Sequence, residues 1–120
     1  MFEYNQSKYA IELITNTKGD RNWWNMIKVG STMAMEAWDV RHKPNSDWNH
    51  AWGTAPLNVI ARYMWGVKPE TPGFEIAKIR PQLTDLDFSK IKIPTKLGPI
   101  DANHETSKNK ITYHITFPRE

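Results

Sequence analysis

The apolar spacing of this chain changes period once, near Gly66 to Gly73, and that change constrains the fold more than any other feature. Before it, apolar residues recur at helical steps. After it, they alternate as in strands. A period of about 3.6 residues and a period of about 2 cannot serve one element, because side chains share a face every turn of a helix but every second residue of a strand. Helices followed by strands give an α+β class.

In the first part, Tyr9, Ala10, Leu13 and Ile14 mark one face of a short helix, with Ser7 or Asn5 placed to cap it. Asn16 to Asp20 reads as a turn. Asp20 is then the expected N-cap of a second helix through Trp23, Trp24, Met26 and Ile27, which Gly30 ends in the left-handed conformation. Met33, Met35 and Ala37 alternate, and Arg41 to Asp47 is a loop containing Pro44 and Asn45. A third helix is expected from about Asn49 to Trp65. Trp52, Ala55, Val59, Tyr63 and Trp65 or Met64 would form its buried face, with Pro56 kinking it or marking its true first turn. Lys68 to Gly73 reads as a stiff connector. Strands are then expected around Phe74 to Ile79, at Phe88 to Ile93, at an edge near Ile100 and Ala102, and at Lys110 to Pro118. In the last, Ile111, Tyr113, Ile115 and Phe117 face one way, after turn residues Ser107, Lys108 and Asn109.

Composition narrows the function classes. Sixteen basic against thirteen acidic residues leave a net charge of +3, scattered along the chain. With no run of like charges, neither a nucleic-acid arm nor a polybasic membrane patch is indicated. The absence of cysteine excludes disulfides, thiolate metal sites and cysteine nucleophiles. No apolar stretch approaches the ~18 residues of a membrane span, and residues 1–20 lack the pattern of a signal peptide. Neither a cofactor nor a metal is expected, and the compartment is left open. Mean hydropathy is low, at −0.66, and six Trp supply much of the apolar material.

Between Glu36 and Trp52 carboxylates lie among aromatics: Glu36, Trp38, Asp39, Asp47, Trp48, Asn49, His50 and Trp52. Indole faces stack on the apolar faces of a pyranose ring, and carboxylate, amide and imidazole groups bind its hydroxyls. Glycoside cleavage usually takes two carboxyl groups, one an acid and one a base or nucleophile. The plainer reading also fits. Trp most often fills interiors, a loop Asp commonly caps a turn, and His50 suits a satisfied histidine near a helix start.

The run from Gly30 to Val67 resembles the late catalytic-domain segment of α-L-rhamnosidases, glycoside hydrolase family 78. The resemblance rests on Gly30-Ser31-Thr32, Glu36-Ala37-Trp38-Asp39, Asn49-His50 and Gly53. Its flanks extend it: Ala10 to Thr15 with Trp23 to Gly30 before, and Lys68-Pro69, Pro72-Gly73-Phe74 and Ile79-Arg80-Pro81 after. It implies that residues 1–67 are the last helices of an (α/α)6 barrel. Residues 68–120 would then be part of a C-terminal antiparallel β-sandwich. It implies inverting hydrolysis of terminal α-L-rhamnosides, with Glu36 as general base and His50 in the sugar pocket. Trp38 would be a pocket wall and Asn49 a further sugar contact.

Two departures from the family qualify this expectation. The family's general acid lies upstream of the matched segment; Asp39 and Asp47 are carboxylates in the right region, but the family pattern gives them no such role. The β-part is also short for the family, so the 120-residue chain is expected to be inactive alone. The expected partners are a rhamnose-containing carbohydrate and either the missing N-terminal part or a second copy. A non-catalytic carbohydrate-binding module using Trp38, Trp48 and Trp52, or a structural remnant, are the alternatives.

Overall fold

The computed structural model describes residues 1–108 and 110–119. The chain divides into two compact units, Met1–Val59 and Ile60–Glu120. With helices and two antiparallel sheets it belongs to the α+β class, and its sheets are compatible with part of a β-sandwich. No helix among the described residues is long and apolar enough to cross a membrane.

The first unit contains α1 (Ser7–Thr15), α2 (Trp23–Lys28), a 3₁₀ turn Ala51–Thr54 and α3 (Ala55–Val59). Neither residue expected to cap α1 does so. Gln6 precedes the helix without a side-chain bond, and Asn5 closes an earlier turn at φ 57°. Asn22, not Asp20, caps α2. Its Oδ1 accepts from the Asn25 N–H at 2.9 Å while its Nδ2 donates to the Lys18 carbonyl at 2.8 Å. Only an amide, with both a donor and an acceptor, can serve both partners; a carboxylate lacks the donor.

Gly30 ends α2 as expected, at φ 88°. The Gly30 N–H bonds to the Ile27 carbonyl and the Ser31 N–H to the Met26 carbonyl, both at 3.0 Å. These two bonds form a Schellman cap, which satisfies the last carbonyls of the helix. The apolar core of this unit is small: Phe2, Ala10, Met26 and Met35, with Asn22, Asn25 and Asp39 buried beside them.

The helix expected from about Asn49 to Trp65 forms as one run over 51–64, but with changing pitch rather than as a regular α-helix. The 3₁₀ turn comes first, and α3 then starts with Pro56 in its first turn, where a missing N–H has no intrahelical partner to lose. Trp52 and Ala55, expected on a buried face, are exposed, Trp52 at 63%.

The second unit opens with a widened turn, Ile60–Met64, closed by the Trp65 N–H on the Ile60 carbonyl at 2.9 Å. Five-residue spacing of this kind interrupts a regular helix. Strands β1 (Val67–Pro69) and β2 (Ala77–Ile79) pair antiparallel, Val67 opposite Ile79. The expected stiff connector is therefore part strand and part turn, and Phe74 lies in the 3₁₀ turn Pro72–Phe74 rather than in a strand. Strands β3 (Phe88–Ile93), β4 (Ile100–Ser107) and β5 (Lys110–Thr116) form a meander in the order β3-β4-β5. The segment expected at an edge is thus the central strand: Ala102 pairs with Ile91 on one side and Ile115 on the other. Of the turn before β5, Asn109 lies outside the described residues.

One face of this sheet carries Ile91, Ile93, Ile100, Ala102 and His104. Trp65 and His104 are each 1% exposed, with ring centroids 5.9 Å apart at 71°. His104 Nε2 lies 3.0 Å from the Leu86 carbonyl and Nδ1 2.8 Å from Ser89 Oγ. A carbonyl only accepts, so Nε2 carries the proton and the Ser89 hydroxyl donates to Nδ1. Both ring nitrogens of this buried histidine are satisfied, as burial of a polar ring demands. The alternation expected in β5 holds, but Ile111, Tyr113 and Phe117 remain partly exposed.

Gly66, at φ 67°, passes against the backbone of Arg80, whose N–H donates to the Gly66 carbonyl at 3.1 Å. A Cβ there would collide with the Arg80 carbonyl. Gly66→Ala is expected to destabilise this unit by about 2 kcal/mol or more, the cost of a left-handed non-glycine plus the clash. Urea unfolding followed by the amide signals of β1 and β2 measures it.

Candidate functional site

The candidate residues lie in the first unit, where a short backbone tie brings them together. The Glu36 N–H donates to the Asp47 carbonyl and the His50 N–H to the Ala34 carbonyl, each at 2.8 Å. These bonds set residues 34–36 beside 47–50. Gly53 completes the approach: a Cβ there would lie 2.5 Å from the Met35 carbonyl oxygen and 2.9 Å from the Ala34 Cβ. Only glycine lets the 3₁₀ turn come this close.

Both backbone polar groups of Glu36 are engaged, since its carbonyl accepts from the Trp52 indole N–H at 3.1 Å. Its side chain is only 10% exposed. Oε1 bonds the Lys43 ammonium, and Oε2 accepts from the Asp47 N–H at 3.3 Å. These contacts, Lys43 foremost, hold the carboxyl below its ordinary range. A bound cation and a donated N–H both favour the charged form over the neutral one. His50 Nε2 lies 4.0 Å from Glu36 Oε1, and its ring stacks on Trp52 at 4.1 Å. His50 Nδ1 is turned inward without a hydrogen-bond partner among the described residues.

Beside Glu36 opens a cavity of 370 Å³ walled by Trp23, Trp38, Trp52, Met26 and Met35. That is the small end of the about 300–1,000 Å³ typical of ligand pockets. Trp23 and Trp38 meet edge to face at 4.7 Å, and the Trp23 indole N–H donates to the Gly53 carbonyl at 2.8 Å. Of the residues singled out from the sequence, Glu36, Trp38 and Trp52 line the cavity and His50 adjoins Glu36. Asn49 is exposed. The Trp23, Met26 and Met35 walls and the Lys43 contact carried no sequence signal, because they depend on how the loop after Glu36 folds back.

Asp39 has a different environment. Its carboxylate is buried and receives Arg41 Nε at 3.0 Å, Arg41 Nη2 at 2.7 Å and the Arg41 N–H at 3.0 Å. Asn25 Nδ2 donates to the Trp38 carbonyl at 2.9 Å and reaches Asp39 at 3.4 Å. The Arg41 guanidinium holds the Asp39 carboxyl far below the usual carboxylate range, and Asp39 raises Arg41 in turn. A carboxyl so stabilised as its anion is a poor proton donor, so Asp39 fits an anchor for Trp38 better than an acid. Among the described residues, no group of three or more histidines or carboxylates is placed to hold a metal ion.

Comparison with known proteins adds one relationship. Over 110 aligned positions, taking in 81% of this chain, the sequence is 34% identical to an alpha-L-rhamnosidase of Alteromonas sp. (strain LOR). The chain spans 11% of that protein's length. This supports a relationship to rhamnosidases for the matched segment. No protein-family profile matches the chain, and no solved structure matches it significantly.

Two outcomes follow from this geometry. Gly53→Ala should push residues 34–35 away and separate His50 from Glu36; loss of the His50 and Glu36 amide positions in a two-dimensional NMR spectrum, with β3 to β5 unmoved, is the expected result. The pH dependence has a definite sign. Glu36 and Asp39 bind protons less readily folded than unfolded, so the stability they contribute is present above their unfolded values of 4.5 and 3.8. It is lost as pH falls through the lower folded values. The urea midpoint of this unit, followed by the Asn25 and Arg41 amides, should fall on acidification, and Asp39→Asn should flatten that acid limb while lowering the midpoint at pH ~7.

Proposed function

We propose that this chain is a segment of an α-L-rhamnosidase-like glycoside hydrolase, with Glu36 as general base and His50, Trp38 and Asn49 contacting the sugar. Residues 1–67 would belong to the end of an (α/α)6 barrel and 68–120 to part of a C-terminal β-domain. The observation that carries the reading is a shielded carboxylate, Glu36, on a residue that lines an indole-walled cavity, with His50 4.0 Å from it. Apolar walls suit the carbon faces of a pyranose, and the Glu36–His50 pair suits its hydroxyls. The sequence relationship to a rhamnosidase points the same way.

In inverting hydrolysis the ionised carboxylate takes a proton from a water on the face opposite the leaving group, while a second carboxyl protonates the leaving oxygen. Glu36 suits the first role, being held as its anion. Among the described residues the cavity lining holds one carboxylate, so the acid would come from elsewhere in a complete enzyme. The same observation favours a second reading, a carbohydrate-binding segment that holds a sugar without cleaving it. The first unit also exposes Tyr4, Trp24, Ile27, Met33 and Leu57. Apolar exposure on this scale supports cover by further hydrolase polypeptide or by a second copy.

Calorimetry with methyl α-L-rhamnoside on this chain tests the sugar reading: binding without turnover is expected. No heat, together with no protection of Trp38 from quenching, overturns it. In a complete hydrolase carrying this segment, Glu36→Gln should lower kcat by about 10²–10⁴, the usual worth of general acid–base catalysis, with KM nearly unchanged. Near-normal turnover would remove Glu36 from the mechanism.

A further inference from the structure

The loop from Glu36 to Asp47 is closed at its neck and stiffened inside. The Glu36 N–H to Asp47 carbonyl bond shuts it, and the Ala37 N–H to Ser46 Oγ bond at 3.2 Å lies just within. Two turns follow the chain around: His42 N–H to the Asp39 carbonyl at 3.0 Å and Ser46 N–H to the Lys43 carbonyl at 2.9 Å. Asp39 ties the first turn to α2 through Asn25. The backbone that carries Lys43 is thus held at both ends, and its side chain returns across the loop to Glu36 Oε1.

A carboxylate pinned through one oxygen still pivots about that contact; one pinned through both does not. We propose that Lys43 is a positioning residue for Glu36, clamping one carboxylate oxygen while the Asp47 amide takes the other, so that the group is held in one orientation beside His50. The titratable groups facing Glu36 are Lys43, from the loop, and His50, from the segment entering the 3₁₀ turn. The Asp47 carboxylate sits on the same loop and is exposed. Of the two, Lys43 makes the direct bond and His50 stands off at 4.0 Å. Lys43 therefore decides both the orientation of Glu36 and the pH at which it takes up a proton. An ammonium has three donors and Glu36 takes one. The Lys43 side chain is 39% exposed, which leaves the others free to meet solvent or a ligand hydroxyl.

The clamp stands on geometry alone; its use in activating water rests on the function proposed above. The test separates the two. The full chain, labelled with ¹³C at glutamate carboxyls and ¹⁵N in the backbone, is titrated as wild type, Lys43→Met and Lys43→Arg. The Asp47 amide reports on the Glu36 oxygen it touches. In wild type and Lys43→Arg, Glu36 should protonate below the other glutamates, with the Asp47 amide following the same midpoint. In Lys43→Met the midpoint should move up to that of the other glutamates, and the Asp47 amide should lose its single sharp position at neutral pH. One common midpoint in all three proteins, or an unmoved Asp47 amide in Lys43→Met, overturns the proposal. Lys43 is partly exposed in a loop, and Lys43→Arg guards against a folding defect by retaining the charge. Methyl α-L-rhamnoside, added to each protein at pH ~7, reads the function separately. An affinity loss of about tenfold in Lys43→Met, restored in Lys43→Arg, is the worth of one charge-assisted contact. Absence of binding in all three would sink the sugar reading and leave the clamp standing.

Discussion

Two backbone hydrogen bonds, Glu36 to Asp47 and His50 to Ala34, carry more of this protein's local order than any apolar contact in its first unit. That unit buries only four apolar side chains, Phe2, Ala10, Met26 and Met35, so it cannot rely on a large core to set its geometry. Short-range polar ties replace the core. Asn22 caps α2 and holds the preceding turn, Asn25 joins α2 to Trp38 and Asp39, and Arg41 closes on Asp39. Each buried polar group is costly unless paired, and this mesh pairs Asn22, Asn25 and Asp39.

The site inherits its character from that mesh. Glu36 is shielded without being enclosed by apolar groups, because a cation and an amide occupy its two oxygens. Burial alone would push a carboxyl toward its neutral form; the ammonium and the N–H outweigh it here. Asp39 follows the same logic with a guanidinium. Glu36 and Asp39 are thus both held as anions by loop cations.

The second unit is built differently. Its apolar residues meet Trp65 and the central strand, and its one deeply buried imidazole has both nitrogens bonded. A conventional sheet face with a tryptophan against it needs less polar bracing. Its sensitive point is instead Gly66, where one segment passes another too closely for a side chain.

Local chemistry was legible in the chain itself. The switch of period near Gly66 announced α+β. The end of α2 at Gly30 followed from glycine's access to the left-handed region, and β3 and β5 followed from their alternation. Glu36, Trp38 and His50 stood out by residue type and by resemblance. What the chain alone did not decide was everything requiring two distant segments to meet. The central place of β4 depends on pairing from both sides, and the close approach of Gly53 to residues 34–35 depends on how the two segments meet. Trp52, which a helical wheel buries, is turned outward by its bond to the Glu36 carbonyl and its stack on His50. Lys43 carries no periodic or motif signal, and its bond to Glu36 exists only because a closed loop returns it there. Propensity and capping act over one turn and are written in neighbouring residues; the meeting of carboxylate, ammonium and imidazole is set by loop closure, which only the folded chain determines.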